Sequence, residues 1–409
     1  MRVVSINTCL NGSTGKIMEG ISRVAQEAGY NTWLVSSYER HRLRNKKYSK
    51  QNIIIGNFFS LYIHIALGHL TGLSGVFSIF STKRLIKRLE NIKPDIIHLH
   101  NLHDCYINIP ILFRYLKTNK IPVIWTLHDC WAFTGHCPHF EVVECNKWKT
   151  GCHDCPQYRK YPKSYIDNSK YMYIFKKKWF HWIQNMILVT PSEWLASLVK
   201  QSYLKDFPVK VINNGINLTV FKPSLIGSKE NFKKKYHISN ERYIVLGVSY
   251  NWNYRKGIDV FMELSKRLDG DRYQIVLVGA DERLDVELPG NIIAIQRTQN
   301  QQELADIYSA ADVFVNPTRE ENFPTVNLES IACGTPVVSF RSGGSPECIT
   351  EKTGSIVDRD NIDEMEKEIV RICETRPYKK EACVEYAQSF DMNRRFDDYV
   401  KLYGSFSKS

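Results

Sequence analysis

Apolar residues recur along the chain in short runs of strand length, and segments with helical spacing separate these runs. In the first half, strands are predicted at residues 2–7, 32–36, 94–100, 122–128 and 186–190, and helices at residues 16–28, at residues 109–118 and from Glu193. Near-continuous apolar strands are typical of a parallel sheet that helices cover on both faces. The first half is therefore predicted to be a doubly wound α/β domain.

The second half repeats this pattern. Strands are predicted at residues 243–248, 274–279, 292–296, 313–316 and 337–340, and helices at residues 258–268, 302–310 and 326–333. The protein is thus predicted to form two Rossmann-like domains, residues 1–212 and 213–385, with a C-terminal helix in residues 386–409 that packs back on the first domain. Ligands of such sheets bind beyond the carboxyl ends of the strands, so the site is expected in a cleft between the domains.

One stretch departs from this alternation. Residues 51–82 contain no Asp, Glu, Lys or Arg, although large apolar side chains are frequent between Phe58 and Phe80. Basic clusters flank the stretch at residues 40–50 and 83–88. Glycine, asparagine and histidine interrupt it too often for a spanning helix, which needs about 20 mainly apolar residues. Two interpretations remain: the stretch lies on a membrane interface, or it is buried in the domain.

A length of 409 residues suits two domains, and 43% hydrophobic with 24% charged residues is ordinary globular composition. This composition excludes a disordered protein and a multi-span membrane protein. The formal net charge of +12 is concentrated in the first half, which favours an anionic partner such as a membrane surface, an acidic substrate or nucleic acid. The first residues contain no long apolar run, so a cytoplasmic location is expected.

The segment 318–340 carries the most specific chemistry. Pro324 is expected to separate a loop that bears Glu321 from a helix that begins near Thr325, and Glu329 falls in the early turns of that helix. Free amides at the helix start favour an anion such as a diphosphate. Carboxylates beside an anion site suit sugar hydroxyls, because they accept strong hydrogen bonds. By itself, such a pair of acids is better explained as a surface acid and a capping acid.

The context of this pair resembles the Glu-x7-Glu signature of the retaining glycosyltransferases of family 4, with Asn322-Phe323-Pro324 between the two acids. Other pieces follow in the order of that family: Asn7…Gly12-Ser-Thr-Gly15, Pro94-Asp-Ile-Ile-His-Leu-His100, Val211-Ile-Asn-Asn-Gly-Ile-Asn217, Arg255-Lys256-Gly257, Ala332-Cys-Gly-Thr-Pro-Val-Val338 and Gly343-Gly344-Ser-Pro-Glu347. Single pieces are weak signals, whereas the ordered set is specific and covers nearly the whole sequence. Trp131-Ala-Phe-Thr-Gly135 and the cysteines after it are most similar to the capsule and colanic-acid-type branch.

The resemblance implies a GT-B fold whose second domain holds a nucleotide-sugar donor. It implies that Glu321 contacts the donor sugar, that Glu329 contacts the ribose, and that Lys256 holds the diphosphate. A fixed cation there stabilises the charge that develops on the leaving group. The further donor-binding residues that it implies are Gly12, Gly15, Arg255, Asn322, Phe323, Pro324 and Thr325. One departure is Ser249-Tyr250, where the family usually has Gly-Arg; Arg255 is the candidate replacement.

His128 ends a predicted strand and matches the histidine that the family places near the transferring sugar. The resemblance implies that its imidazole orients donor or acceptor at neutral pH, so the implied catalytic set is His128, Glu321 and Lys256. His98 and His100 share a face of the preceding strand, and they are equally consistent with the acceptor side and with core packing.

Five of the eleven cysteines lie between residues 130 and 155. Cys152 and Cys155 form a Cys-x2-Cys knuckle, and Cys137 and Cys145 supply two further thiols. Four thiols with this spacing are typical of a structural zinc site. Nearby nitrogen ligands are His136, His139 and His153. Buried free thiols or redox-sensitive pairs explain the spacing as well. No Asp-x-Asp motif is recognised at a predicted strand end, so no catalytic metal is expected.

The leading hypothesis is a retaining glycosyltransferase that moves a hexose-type sugar from a nucleotide diphosphate-sugar to a saccharide acceptor, lipid-linked, in capsule, exopolysaccharide or lipopolysaccharide synthesis. Such an enzyme is expected to be cytoplasmic and peripheral on the inner face of the cell membrane, with an anionic membrane surface as a partner and no nucleic acid. A GT-B sugar-nucleotide epimerase or phosphorylase is an alternative, since one fold hosts many reactions. A zinc-knuckle nucleic-acid-binding protein is another, although aromatic residues are mostly not interleaved with the basic clusters.

Overall fold

The computed structural model describes residues 1–38, 51–224, 227–280 and 287–406. The protein divides into two compact units. Unit 1 comprises Met1–Asn213 and Asn393–Ser409, and unit 2 comprises Asn214–Met392. The first division therefore falls after residue 213 rather than 212. The polypeptide rejoins unit 1 only at Asn393, so residues 386–392 belong to unit 2, which corrects the predicted start of the C-terminal segment.

Unit 1 is built on a parallel sheet of seven strands. They are β1 (Arg2–Ile6), β2 (Asn31–Ser37), β3 (Asn52–Ile55), β4 (Ile96–Leu99), β5 (Val123–Thr126), β6 (Met186–Thr190) and β7 (Val209–Val211). Their spatial order is β3-β2-β1-β4-β5-β6-β7. Strands β4 and β5 are buried along their whole length, as expected of strands with both faces covered. The strand order reverses between β1 and β4, which is where a doubly wound sheet opens a crevice at its carboxyl edge.

Unit 2 contains a parallel sheet of six strands. They are β8 (Tyr243–Val248), β9 (Tyr273–Val278), β10 (Ile292–Ile295), β11 (Val313–Asn316), β12 (Val337–Phe340) and β13 (Gly354–Val357). Their order is β10-β9-β8-β11-β12-β13, so the reversal falls between β8 and β11. Two parallel Rossmann-like sheets confirm the predicted α/β class.

Helices connect the strands in both units. Those of unit 1 are α1 (Ser13–Glu27), α2 (Phe58–Thr71), α3 (Ile79–Ile92), α4 (Ile109–Asn119), α5 (Ser169–Phe180) and α6 (Glu193–Gln201). Those of unit 2 are α7 (Ser228–Lys235), α8 (Ile258–Arg267), α9 (Gln301–Ala310), α10 (Thr325–Ala332), α11 (Ile362–Thr375) and α12 (Lys380–Ala387). The last helix, α13 (Met392–Ser405), packs in unit 1, where the Tyr403 hydroxyl lies 2.7 Å from Nδ1 of His98.

The uncharged stretch forms β3, α2 and the start of α3. Its inner side chains, such as Ile53 and His64, are buried, whereas Phe59 is 71% and Phe80 is 79% exposed. One side of the stretch is therefore buried in the domain, as one of the two interpretations predicts, whereas the other side exposes apolar side chains. No helix in the described ranges has the length and apolar character needed to cross a membrane. The basic cluster at residues 40–50 lies outside the described residues.

Candidate active site

The loops after β8 and β11 meet at the switch point of the unit 2 sheet. The loop after β8 forms one turn of 3₁₀ helix, Tyr254–Lys256, and the carboxamide of Asn253 caps it by accepting a hydrogen bond from the backbone N–H of Lys256 at 3.1 Å. Gly257 follows with φ of +74°, and a Cβ there would lie 2.5 Å from the oxygen of Pro317 in the loop after β11. Because the two loops are so close, position 257 requires glycine.

Lys256 and Glu321 form an ion pair across these two loops. Nζ of Lys256 donates to Oε2 of Glu321 at 2.6 Å, and Oε1 of Glu321 accepts from the backbone N–H of Asn322 at 3.2 Å. The two side chains are 21% and 22% exposed, so solvent reaches both. An ammonium group beside a carboxylate can bind a phosphate and a sugar hydroxyl, respectively.

Arg319 fixes the loop after β11. It is buried, and its guanidinium donates to both oxygens of Asp259 at 2.8 and 2.7 Å and to Asp360 at 2.6 Å. Burial lowers the pKa of Arg319, but the hydrogen bonds to these two carboxylates outweigh burial and raise it. The backbone N–H of Arg319 donates to the Arg255 oxygen at 2.9 Å, and Arg255 Nη1 donates to the Glu320 oxygen at 3.0 Å. The guanidinium of Arg255 is thus engaged with the protein backbone.

An Asp-x-Asp motif, Asp358-Arg-Asp360, directly follows β13, a strand that was not predicted from the sequence. The hydrophobic pattern predicts no strand there, because β13 is short and only partly buried. Asp360 pairs with Arg319, and Asp358 accepts from Nε of Arg341 at 3.1 Å. Both carboxylates therefore serve ion pairs within unit 2.

Helix α10 begins at Thr325 with Pro324 as its N-cap residue, and it ends before Gly334, whose φ is +84°, as predicted. Glu329 lies in its second turn and is half-buried. Its Oε2 accepts a hydrogen bond from the hydroxyl of Tyr308, a fully buried residue, at 3.4 Å. Tyr308 therefore anchors the Glu329 carboxylate at the inner side of the helix.

The backbone that leads into α10 is held in place by its own side chains. Asn322 and Phe323 are buried, and the ring of Phe323 packs 6.0 Å from that of Phe390. Nδ2 of Asn214 donates to the Phe323 oxygen at 3.4 Å. Because the side chains of residues 322 and 323 are buried, these residues can contact a ligand mainly through their backbone groups.

Tyr250, where the sequence departs from the family pattern, is 72% exposed, and the Arg297 guanidinium lies 3.9 Å from the centroid of its ring. Arg297 follows β10, so this cation–π pair joins the ends of two strands at the same edge of the sheet. Their sequence positions gave no indication of the contact, because it depends on the strand order.

The glycine loop of unit 1 lies at the start of α1, directly after β1. Gly12 is the N-cap residue with φ of +85°, which favours glycine. A Cβ on Gly15 would lie 2.4 Å from both atoms of the Leu10 backbone carbonyl. Glycine is thus required at position 15 for packing within the loop itself.

His128 follows β5, and its Nε2 lies 3.0 Å from Nδ1 of His100, with the two rings stacked 5.3 Å apart. Burial lowers the pKa of His128 to about 4, so the imidazole is neutral at neutral pH. His98 is fully buried, and its two ring nitrogens contact Tyr403 and Thr126. His98 is therefore a core residue, whereas His100 links the core to His128.

A cluster at the ends of β4 and β5 was not predicted from the sequence motifs. Nε2 of His103 lies 3.0 Å from Oδ2 of Asp129, and Nδ1 lies 3.1 Å from Oδ2 of Asp104. The Tyr161 hydroxyl lies 3.0 Å from Nδ1 and donates to Asp104. Burial lowers the pKa of His103, but the charges of Asp129 and Asp104 outweigh burial and raise it to about 10. One sequence feature could have predicted this cluster: a His-Asp dipeptide follows each of two neighbouring strands, as His103-Asp104 and His128-Asp129.

The four cysteines of the predicted zinc site, Cys137, Cys145, Cys152 and Cys155, line one small cavity. Within the described ranges, no group of three or more His, Cys, Asp or Glu residues is arranged to hold a metal ion. The fold thus brings the four thiols together without placing them in coordinating positions.

Two family models match most of the sequence. Residues 17–220 match the model described as Glycosyltransferase Family 4, and residues 228–390 match the model described as Glycosyl transferases group 1. The boundary between the matches lies close to the division between the units.

Two curated relatives match large parts of this chain. The glycosyl transferase WcaC of Escherichia coli (strain K12), assigned to colanic acid biosynthesis, is 22% identical over 276 residues, covering 66% of this chain and 65% of WcaC. An uncharacterised 41.2 kDa protein in the cps region of Klebsiella pneumoniae is 24% identical over 355 residues, covering 83% of this chain and 85% of that protein. The match thus spans just under two thirds of the length of WcaC.

The crystal structure of HepE from Anabaena in complex with UDP and glucose is similar over 99% of this chain and 100% of HepE, with a TM-score of 0.69 at 12% identity. Similarity at this identity concerns the fold, and it confirms the predicted GT-B fold. With both family models matched in order along it, this chain belongs to the glycosyltransferases of the group 1 and family 4 type.

Proposed function

We propose that this protein is a retaining glycosyltransferase that transfers a hexose-type sugar from a nucleoside diphosphate-sugar to a saccharide of a cell-surface polysaccharide. The observation that carries this proposal is the pair of Lys256 and Glu321, 2.6 Å apart at the switch point of unit 2. A nucleoside diphosphate-sugar offers a partner to each group, since its phosphates suit the ammonium and its hydroxyls suit the carboxylate. The pathway assigned to WcaC and the locus of the Klebsiella protein support a surface polysaccharide as product.

In the proposed donor complex, the diphosphate replaces Glu321 as the partner of Lys256. The ammonium then stabilises the charge that develops on the departing nucleoside diphosphate. Glu321 keeps its orientation during this exchange, because its Oε1 accepts from the backbone N–H of Asn322. Its Oε2 becomes available to a hydroxyl of the donor sugar.

Other residues are proposed to hold the rest of the donor. Glu329, anchored by Tyr308, is proposed to accept hydrogen bonds from the ribose hydroxyls. The first amides of α10, from Thr325, favour a phosphate through the helix dipole. HepE, which shares the fold, was solved with UDP and glucose, and this supports a nucleoside diphosphate donor.

Transfer with retention is proposed to occur by attack from the face that the leaving group occupies. The acceptor hydroxyl oxygen bonds to the anomeric carbon, the bond from that carbon to the phosphate oxygen breaks, and the hydroxyl proton passes to the departing phosphate. His128 is proposed to orient a sugar hydroxyl by hydrogen bonding, because burial lowers its pKa to about 4 and leaves it neutral.

The acceptor is proposed to be lipid-linked and the protein to be peripheral on the inner face of the cell membrane. The exposed apolar surface of unit 1 supports this proposal; it consists of α2, the start of α3 and residues 164–168. Oγ of Ser60 and Oγ of Ser81 lie 2.7 Å apart and join the starts of α2 and α3. The backbone N–H of Tyr165 donates to the His69 oxygen at 2.8 Å and joins residues 164–168 to the end of α2.

Basic residues complement this apolar surface. Lys83, Arg84 and Lys87 are exposed and follow Phe80 at helical spacings of three, four and seven residues, so they lie on the same face of α3. Apolar side chains that enter the headgroup boundary, together with cations above the phosphates, provide the two signals that stable but reversible anchoring requires. The proposed occupant of this surface is therefore an anionic bilayer.

The function is tested by incubating the purified protein with a panel of nucleoside diphosphate-sugars, with and without saccharide acceptors. We expect free nucleoside diphosphate to appear only with acceptor, and the new linkage to keep the anomeric configuration of the donor in NMR spectra. Sugar interconversion without acceptor would instead indicate an epimerase, and dependence on inorganic phosphate a phosphorylase. An inverted linkage would overturn the proposed retention.

A further inference from the structure

The segment that follows β5 folds around a cavity of about 10 Å³, the size of a single small particle such as one ion or water molecule. The four thiols of Cys137, Cys145, Cys152 and Cys155 line this cavity together with His136. Aromatic residues close it on other sides, with the rings of Phe140 and Trp148 stacked 5.0 Å apart. One segment thus concentrates four soft ligands around a space that admits one ion.

The Cys-x2-Cys turn is built independently of any ion. Nζ of Lys147 donates to the oxygens of His153 and Asp154 at 3.1 and 3.0 Å, and Asp154 has φ of +43°. The backbone N–H of Cys155 donates to the carboxylate of Asp167. These contacts fix the two ends of the turn, so that both thiols are held at the cavity.

Backbone N–H groups point at two of the sulfur atoms. The N–H of Gly135 donates to Sγ of Cys152 at 3.1 Å, and the backbone of Gln157 donates to Cys155. Such donors stabilise a thiolate, which is the form that binds a metal. Position 135 requires glycine, because a Cβ there would lie 2.7 Å from Cβ of Cys152.

An orphaned buried nitrogen gives a second, independent indication of a ligand. His136 is 6% exposed, and its Nε2 has no hydrogen-bond partner within the part of the protein that the structure describes. Burial of a polar group without a partner is unfavourable, so an unsatisfied nitrogen on a residue that lines a cavity of thiols indicates an occupant. His136 lines the same cavity as the four thiols.

We propose that Cys137, Cys145, Cys152 and Cys155 bind one structural zinc ion as four thiolates. Thiol donors select zinc among the common divalent ions, and closed tetrahedral sites favour four of them. In the structure, the side chains of Cys137 and Cys155 are hydrogen-bonded to each other. Zinc binds cysteine in its deprotonated form, so binding requires the four ligands to release their protons. Within the described residues the four thiols line the cavity without forming a coordinating set.

The ion would organise the backbone beside Asp129, the residue that pairs with His103. The N–H of Trp131 donates to Oδ1 of Asp129 at 2.8 Å, and the N–H of Cys130 donates to the Pro138 oxygen at 3.0 Å. The Thr134 hydroxyl donates to the Cys137 oxygen at 2.6 Å. The zinc site thus connects to the cluster at the ends of β4 and β5, and its role is to position that loop.

The test is metal analysis of the full-length protein purified without chelator, by inductively coupled plasma mass spectrometry. We expect about one zinc per protein molecule. Protein grown with cobalt should show thiolate-to-cobalt charge transfer and the visible bands of tetrahedral cobalt. Cys152→Ser and Cys155→Ser should lower the zinc content at least about tenfold. Cys333→Ser, which changes a buried cysteine of unit 2, should keep the full zinc content.

The wild-type cobalt spectrum decides the question even if a cysteine variant fails to fold. Zinc below about a tenth of an equivalent, with no thiolate–cobalt band, would overturn the proposal. Full zinc content in Cys152→Ser and Cys155→Ser would overturn it as well. A disulfide between Cys137 and Cys155 in the native protein, detected by mass spectrometry, would show a redox pair instead of a metal site.

Discussion

Lys256 and Glu321 are 65 residues apart in the sequence, yet Nζ of the one lies 2.6 Å from Oε2 of the other. The pair joins the loops after β8 and β11, which are the two loops that the strand order of unit 2 brings together. The ammonium and the carboxylate neutralise each other in this ion pair, and each is chemically suited to a different part of a nucleoside diphosphate-sugar. In the proposed donor complex, the diphosphate would therefore have to displace Glu321 from Lys256.

Replacing Gly257 by alanine should displace Lys256 and weaken donor binding. The φ of +74° and the 2.5 Å approach to the Pro317 oxygen leave no room for a Cβ, so we expect a loss of about 2 kcal/mol in the free energy of unfolding. Gly270→Ala is the matched control, because a Cβ there meets nothing within 4 Å. Urea unfolding and donor titration measure both effects, and equal behaviour of the two variants would contradict the proposed loop contact.

The His103 cluster should make stability depend on pH on the alkaline side. The pKa of His103 is raised from 6.5 to about 10 in the folded protein, after the charges of Asp129 and Asp104 outweigh the effect of burial. A raised pKa stabilises the folded state fully below pH 6.5, and this stabilisation is lost as the pH rises through 10.

We therefore expect the difference in unfolding free energy between wild type and His103→Gln to be largest near pH 6 and to shrink toward pH 10. Urea denaturation at three pH values across this window measures it. A difference that stays constant or grows with pH would show that His103 is neutral in the folded protein.

Membrane binding should depend on both the apolar and the basic residues of unit 1. Phe58→Ser with Phe59→Ser should reduce sedimentation with anionic vesicles. Lys83→Ser with Arg84→Ser should weaken binding about 30-fold, at about 1 kcal/mol per cation. Lys352→Ser, which removes an exposed cation of unit 2, should have no effect.

Added salt should weaken the same binding, because it screens the cations from the anionic lipids. Equal binding to neutral vesicles, or no binding to anionic ones, would mean that the apolar surface does not dock on a charged bilayer.

The hydrophobic pattern predicted most of the two sheets, because strands buried on both faces are apolar along their length. It missed β3, β7 and β13, which are edge strands. The three residues of β7 are only partly buried or exposed, so they carry no continuous apolar run. A short edge strand forms because it pairs with the neighbouring strand, and its own hydrophobic pattern does not predict it.

The sequence motifs did not predict which residues of the site contact each other. The resemblance to the family predicted roles for Lys256, Glu321 and His128, but it gave no partner for any of them. The contacts between Lys256 and Glu321 and between His103 and Asp129 depend on which strand ends are neighbours. That order is fixed by the packing of the whole sheet, and local spacing does not encode it.

The most direct test of the account is acceptor-dependent release of nucleoside diphosphate by Lys256→Ala and Glu321→Ala, compared with Arg341→Ala. Arg341 pairs with Asp358 in the same unit but outside the site, so its variant controls for the loss of an ion pair. We predict a fall in kcat of about 10²–10³ for the first two variants, with melting temperatures close to wild type, and near-normal turnover for the third. Near-normal turnover by folded Lys256→Ala or Glu321→Ala would contradict the assignment of this pair to the donor.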